Sequence, residues 1–281
     1  MTVITSVSNP RISRLRDLHT RRGREKNGLF LMEGPHLLEA LLDAQLLPHE
    51  VYYQPELLQR TSRGKLLRER LAPLLGQEQC IAVNERVIEA LGDVQTSQGV
   101  VSVLSLAAFT ASQVRARRPK RERHILLILD DIADPGNMGT MLRIALAVDV
   151  DAVLLTAHCV DCYSPKVVRS AAGAHIALPI ETDVSWPTIA EKIEPRYRVL
   201  AAETAGARLY YEQDLTLPFA LIIGNEAHGL SAQAHTLASQ TITIPLSNNV
   251  ESLNAAMAAG IILYEAVRQT RMKLKQSTYE E

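Results

Sequence analysis

Five apolar runs in the second half of the chain restrict its folding more than any other feature: ILLIL (125–129), AVLLT (152–156), VLAAE (199–203), FALIIG (219–224) and TITIP (241–245). They are continuous rather than alternating, so each reads as a strand buried on both faces, as in a parallel sheet covered by helices. The intervening segments supply the helices: Met138 to Val148, Pro165 to Ala172 with Ser164 as N-cap and Pro165 at N1, Trp186 to Ile193, and a long one from Leu253 to about Met272. Right-handed crossovers then give an open α/β sheet with its ligand site at the carboxyl ends of the strands.

The first half reads as a smaller α/β domain. Helical patterns at Pro10–His19, Pro35–Ala44, Gly64–Leu75 and Glu85–Leu91 alternate with apolar runs at Leu29–Met32, Val51–Tyr53, Ile81–Val83 and Val100–Leu106. Between the halves, FTASQVRARRPKRER (109–123) is polar, basic and interrupted by Pro119, as an exposed linker is. The expected organisation is therefore residues 1–108, a basic linker at 109–123, and residues 124–281. Two domains suit a chain of 281 residues.

At 47% hydrophobic and 22% charged residues the chain should bury a real core, and neither disorder nor a coiled coil is indicated. No apolar run approaches the roughly 18 residues of a membrane span. Met1 to Pro10 lacks the apolar stretch of a signal peptide, so a soluble cytoplasmic protein is expected. Three cysteines, Cys80, Cys159 and Cys162, are too few for a disulfide framework. The Cys159–Val–Asp–Cys162 pair lacks a second pair of ligands for zinc, so it reads as loop thiols and no metal is expected.

The net charge of −1 hides an asymmetry. Between Arg11 and Lys26 there are seven basic residues against Asp17 and Glu25, and between Arg115 and Arg123 six against Glu122. Either cluster alone reads equally as a solvated face or as a surface for phosphates. Arg14, Leu15, Leu18 and Arg22 have helical spacing, which lets the first helix turn an apolar stripe inward and hold arginines toward a phosphate backbone.

No G-x-G-x-x-G follows a strand, and Leu29 and Phe30 stand where a Walker A motif needs Lys and Ser or Thr, which argues against a dehydrogenase or a P-loop enzyme. Three other strand ends stand out. In DDIADPGNMGTMLRIALA (130–147) a buried strand runs through a Pro-Gly turn into a helix carrying Asn137 and Arg143. In LIIGNEAHGL (221–230) Gly224 and Gly229 bracket Asn225, Glu226 and His228, and glycines there let a backbone approach a ligand. In IPLSNNVESLNAAMAAGIILYEA (244–266) a polar loop precedes an alanine-rich helix whose small residues suit close packing against another backbone.

In order and spacing these three segments resemble the motifs of the SpoU, or TrmH, family of RNA methyltransferases over residues 124–268. The N-terminal portion, with NPRI (9–12) and FLMEGPHLLEAL (30–41), looks like that family's substrate-binding domain, which resembles ribosomal protein L30e. The resemblance implies a SPOUT domain with a deep trefoil knot near its C-terminus, a homodimer formed through the catalytic domain, and S-adenosylmethionine held mainly by main-chain groups. Those groups would be at Gly224, Ile244 and Leu253, with Thr204 nearby, while Asn137, Arg143, Glu226, Ser252 and Asn254 would line the reaction centre. The implied reaction is methyl transfer to a ribose 2′-hydroxyl of RNA, with 23S ribosomal RNA favoured. The alternatives are a transfer-RNA enzyme or a catalytically inactive RNA-binding protein of the same fold. Arg11, Arg14, Arg21, Arg22 and Arg24 are the expected RNA contacts. Two positions depart from the family pattern: Asn248 replaces a glycine and Ala255 a valine. A guanidinium is a poor base, so Arg143 is expected to act electrostatically on the developing alkoxide, with Glu226 or an RNA phosphate oxygen taking the proton.

Overall fold

The computed structural model describes residues 3–73, 78–92, 97–117, 124–193, 195, 197–205, 207–216 and 218–279. In chain order the elements of the first half are α1 (Pro10–Arg16), α2 (Arg21–Asn27), β1 (Leu29–Glu33), α3 (Pro35–Asp43), β2 (Glu50–Tyr53), α4 (Pro55–Gln59), α5 (Ser62–Leu71), β3 (Cys80–Ala82), α6 (Glu85–Leu91) and β4 (Val100–Ser105). The second half follows with α7 (Ala111–Arg117), β5 (Ile125–Leu129), α8 (Pro135–Ala147), β6 (Ala152–Leu155), α9 (Pro165–Ser170), α10 (Ala174–Ala177), β7 (Ile180–Glu181), α11 (Trp186–Lys192), β8 (Arg198–Ala202), β9 (Arg208–Leu209), β10 (Phe219–Ile223), α12 (Ala232–Leu237), β11 (Gln240–Thr243) and α13 (Ala255–Tyr279). These elements form two compact units, one of residues 1–109 with 163–176, the other of residues 110–162 with 177–281.

Among the described residues the first unit is built on a four-stranded sheet in the order β1-β4-β2-β3. Within the same residues β4 is antiparallel to β1 and β2, and β2 pairs in parallel with β3. One face buries Ile12 and Leu15 of α1 with Val87, Ile88 and Leu91 of α6. The segment 163–176 joins this unit because Tyr163, Val168 and Ile176 pack with Phe30, Met32 and Phe109 in one apolar cluster. Nothing in the sequence pattern announces that placement, since the segment lies between two strands of the other sheet.

Among the described residues the second unit is built on seven parallel strands in the order β7-β6-β5-β10-β8-β11-β9. The continuous apolar runs are its five central strands, and Leu127, Ile128, Leu200, Leu221 and Ile222 are fully buried. Strands β7 and β9, two residues each, are too short to leave a periodic signature. α13 packs on α8, and Gly260 sits where an added Cβ would lie 3.2 Å from Ile144 Cδ1, so the close neighbour at this small residue is a side chain rather than another backbone.

Local differences have physical reasons. α13 starts at Ala255 rather than Leu253 because the Asn254 side chain accepts hydrogen bonds from the backbone N–H groups of Ala256 and Met257. α9 ends at Ser170, and Ser164 caps it through its carbonyl rather than its hydroxyl. The stretch expected to be plain linker contains α7, whose Ala111 and Val114 are buried and whose Arg115 pairs with Glu181 at 2.7 Å. Residues 118–123, with the rest of that basic run, lie outside the described residues. Among the described residues no helix is long and apolar enough to cross a membrane.

Candidate functional site

The carboxyl ends of β5, β8, β10 and β11 meet the loops that follow them in the second unit, as the topology requires. The loop after β10 is locked by a two-way backbone bridge between Asn225 and Gly229, at 2.8 and 2.9 Å. Gly224 is obligatory there: a Cβ would fall 2.5 Å from the Gly229 carbonyl and 2.7 Å from Leu230 N. The Asn225 side chain accepts from the N–H groups of Ala227 and His228 and donates to the Asp131 carbonyl at 2.6 Å, tying this loop to the one after β5. Buried Asp130 adds a second tie by accepting from Ser231 N at 2.7 Å. Asp131 holds φ at 57°, a conformation that aspartate tolerates.

Across the mouth of these loops runs a chain of side-chain hydrogen bonds. Asn254 Nδ2 donates to Asn137 Oδ1 at 2.7 Å, and Asn137 Nδ2 donates to Glu226 Oε1 at 2.9 Å. Glu226 Oε2 accepts from Ala133 N at 3.2 Å. Each residue is positioned by its own element: Asp134 caps α8 by accepting from Asn137 N, and Asn254 caps α13. The two amides have a defined orientation because a carboxylate only accepts, which forces Nδ2 of Asn137 toward Glu226 and leaves its oxygen for Asn254.

Beneath this chain lies a cavity of about 500 Å³, within the roughly 300–1,000 Å³ of small-molecule sites. Its apolar wall is Ile223, Ile242, Ile244, Leu246, Ala258 and Ile262, and its rim is polar. Asn137, Thr204, Gly224, Glu226, Ile244, Ser252, Leu253 and Asn254 all line it. The loop carrying Ser252 and Leu253 turns through Asn248 and Asn249, with φ of 59° and 56°. The asparagine that replaces the family glycine therefore takes the left-handed conformation a glycine would take.

Other expected site residues lie elsewhere. Arg143 is exposed on α8 and does not line the cavity. In the first unit, Arg11 Nη2 sits 2.8 Å from Glu50 Oε1 and donates to the Glu78 carbonyl, while Arg14 lies 3.7 Å from the same carboxylate. Burial alone would push the Glu50 carboxyl up, but hydrogen bonds from Tyr52 and Arg11 outweigh it and hold the group below its usual range. Arg21 pairs with Glu25, and Arg22 is exposed. Arg24 corrects the expected RNA-contacting set: it is 3% exposed and donates to the Leu18 carbonyl, so it braces the fold. Cys159 and Cys162 lie in the loop that follows β6, where the sequence reading has them, and are buried there, and burial pushes both thiols up. Sequence reasoning gave no role to Asn225, the loop clamp, nor to Glu203 and Glu251, which line the cavity. Asn225 was legible as a polar residue between two glycines, whereas nothing in the pattern marked the two glutamates.

A parallel α/β sheet with a cavity at its carboxyl ends, enclosed by the loops after β5, β8, β10 and β11, defines a small-molecule-binding domain. A model of the SpoU rRNA Methylase family matches residues 124–264, and one of the MRM3-like substrate binding domain matches residues 9–102. An uncharacterized tRNA/rRNA methyltransferase of Synechocystis is 35% identical, over 95% of this chain and 93% of its own. The 23S rRNA (guanosine(2553)-2′-O)-methyltransferase RlmP of Bacillus subtilis is 29% identical, over 94% and 98%. The crystal structure of the SpoU methyltransferase AviRb from Streptomyces viridochromogenes in complex with AdoMet superposes with a TM-score of 0.81 at 29% identity, covering 93% of this chain and 98% of that one. The chain belongs to the SpoU rRNA methylase family.

Proposed function

We propose that the protein transfers a methyl group from S-adenosylmethionine to a ribose 2′-hydroxyl of RNA, with 23S ribosomal RNA as the substrate. The observation that carries this reading is the hydrogen-bonded chain Asn254–Asn137–Glu226 at a cavity built by the loops after β5, β8, β10 and β11. The donor, when bound, supplies an already activated methyl on a sulfonium. The residues present suit it: an apolar wall for a purine, main-chain groups at Gly224, Ile244 and Leu253 for its polar edges, and carboxylates for its cationic end. What remains for the protein is to align a sugar oxygen and help it lose a proton. Each Glu226 oxygen accepts one bond within the chain and keeps a lone pair for a further donor, so Glu226 takes the hydroxyl proton directly or shares that task with an RNA phosphate. Ser252 at the rim orients the sugar, and Arg143 acts by its charge.

The N-terminal unit, with an L30e-like fold, contacts RNA through Arg11, Arg14, Arg21 and Arg22. The catalytic unit carries a trefoil knot near its C-terminus and pairs with a second copy. Met257 and Tyr264, seven residues apart on α13 and exposed, supply an apolar face for that pairing. A cytoplasmic setting is part of the same proposal. Mapping 2′-O-methyl marks in total RNA with and without the gene tests the reading. Loss of one mark in large-subunit RNA is expected, and an unchanged pattern would overturn it.

A further inference from the structure

The cavity is lined by three carboxylates, Glu203, Glu226 and Glu251, and among its described lining residues there is no lysine, arginine or histidine. Glu226 is anchored by Asn137 and Ala133, and Glu203 lies 3.3 Å from His235. Glu251 is exposed and has no ion pair among the described residues, and it immediately precedes Ser252 and Leu253 of the third loop. Such a lining discriminates by charge. During transfer the 2′-oxygen forms the new O–C bond as the C–S bond breaks, the bonding electrons return to sulfur, and the hydroxyl proton leaves to a base. Sulfur thereby changes from a cation to a neutral thioether.

We propose that Glu251 is a specificity-determining residue that biases the cavity toward the cationic methyl donor and against the neutral thioether product. This rests on the cavity being the methyl-donor site. Loss of the sulfonium charge removes an attraction, so the carboxylate lining helps the product to leave.

The test is calorimetric titration of the full chain with S-adenosylmethionine, S-adenosylhomocysteine and sinefungin, which carries an ammonium group in place of the sulfonium methyl. The readout is the ratio of the product's Kd to the donor's Kd. Glu251→Gln should reduce that ratio by roughly three- to ten-fold, the scale of one unit charge acting on another across a partly solvated site. Sinefungin should weaken with the donor, and Glu251→Asp should retain most of the ratio. In the unmodified protein the ratio should also fall as salt approaches ~1 M, where charges are screened beyond about 3 Å. A ratio that Glu251→Gln leaves unchanged, whatever salt does, while both nucleosides bind, would overturn the proposal and leave the methyltransferase reading standing. Absence of binding by all three compounds would overturn both.

Discussion

Asn254 of the third loop donates its side-chain amide to Asn137 of the first at 2.7 Å, although the two residues are 117 positions apart in the chain. Because Asn137 in turn donates to Glu226, the orientation of one amide settles that of the next, and the carboxylate at the end is held in one pose. The site is thus a single polar chain rather than three independent groups, and such units lose function together.

Asn137→Asp tests that coupling. It preserves size and the backbone N–H bonded to Asp134, but it sets a carboxylate against Glu226 and removes the donor. Turnover should fall by roughly 100-fold or more, the scale for removing an oriented donor, while the melting temperature changes little. A fully active variant would show that Glu226 needs no such tether.

Gly224→Ala should be damaging for a different reason. The new methyl would stand 2.5 Å from the Gly229 carbonyl, which is backbone and cannot swing away. A loss of about 1–3 kcal/mol in a denaturant titration is expected, as for an overpacked site. Donor affinity should fall as well, since the Asn225–Gly229 bridge must open.

Asn248 offers a graded test of loop shape. At φ 59° a β-branched side chain is strained by about 1–2 kcal/mol, so Asn248→Val should weaken donor binding in calorimetry. Asn248→Gly, restoring the residue usual in the family, should leave it within about two-fold, because glycine adopts that conformation freely. Equal behaviour of the two variants would mean that the left-handed turn is dispensable.

Acid sensitivity of the N-terminal unit should trace partly to Glu50. Its carboxyl is held below the usual value of 4.5 in the folded chain, so near and below that value the unfolded chain binds more protons. The group therefore contributes stability above the unfolded value and loses it as pH falls through the folded one. Melting temperature should drop over that acid range, and Tyr52→Phe, which removes the hydroxyl that donates to Glu50 at 2.7 Å, should reduce the drop.

The parts that sequence made legible were those with local signatures. Continuous apolar runs marked the five central strands, and the three motif loops marked most of the cavity rim. The rest depends on contacts between distant segments. Segment 163–176 follows its apolar side chains into the other unit's core, and Arg24 looks like its neighbours in a basic run yet turns inward to the Leu18 carbonyl. Glu203 and Glu251 carry no pattern of their own, and only the arrangement of strand ends brings them to one cavity. Arg143 is a residue that resemblance places at the reaction centre and that the single chain leaves exposed on α8. Arg143→Lys separates its roles, since retained activity fits a charge acting on the developing alkoxide and lost activity fits an obligatory guanidinium.

Methyl transfer from radiolabelled S-adenosylmethionine to ribosomal RNA, followed by alkaline hydrolysis, bears most directly on the site. A 2′-O-methyl group blocks cleavage of the adjoining phosphodiester, so label should emerge in an alkali-resistant dinucleotide with the unmodified protein and be nearly absent with Asn137→Asp. Label recovered only in mononucleotides, marking a methylated base, or no transfer to any RNA, would contradict an arrangement built to align a sugar oxygen with a methyl donor.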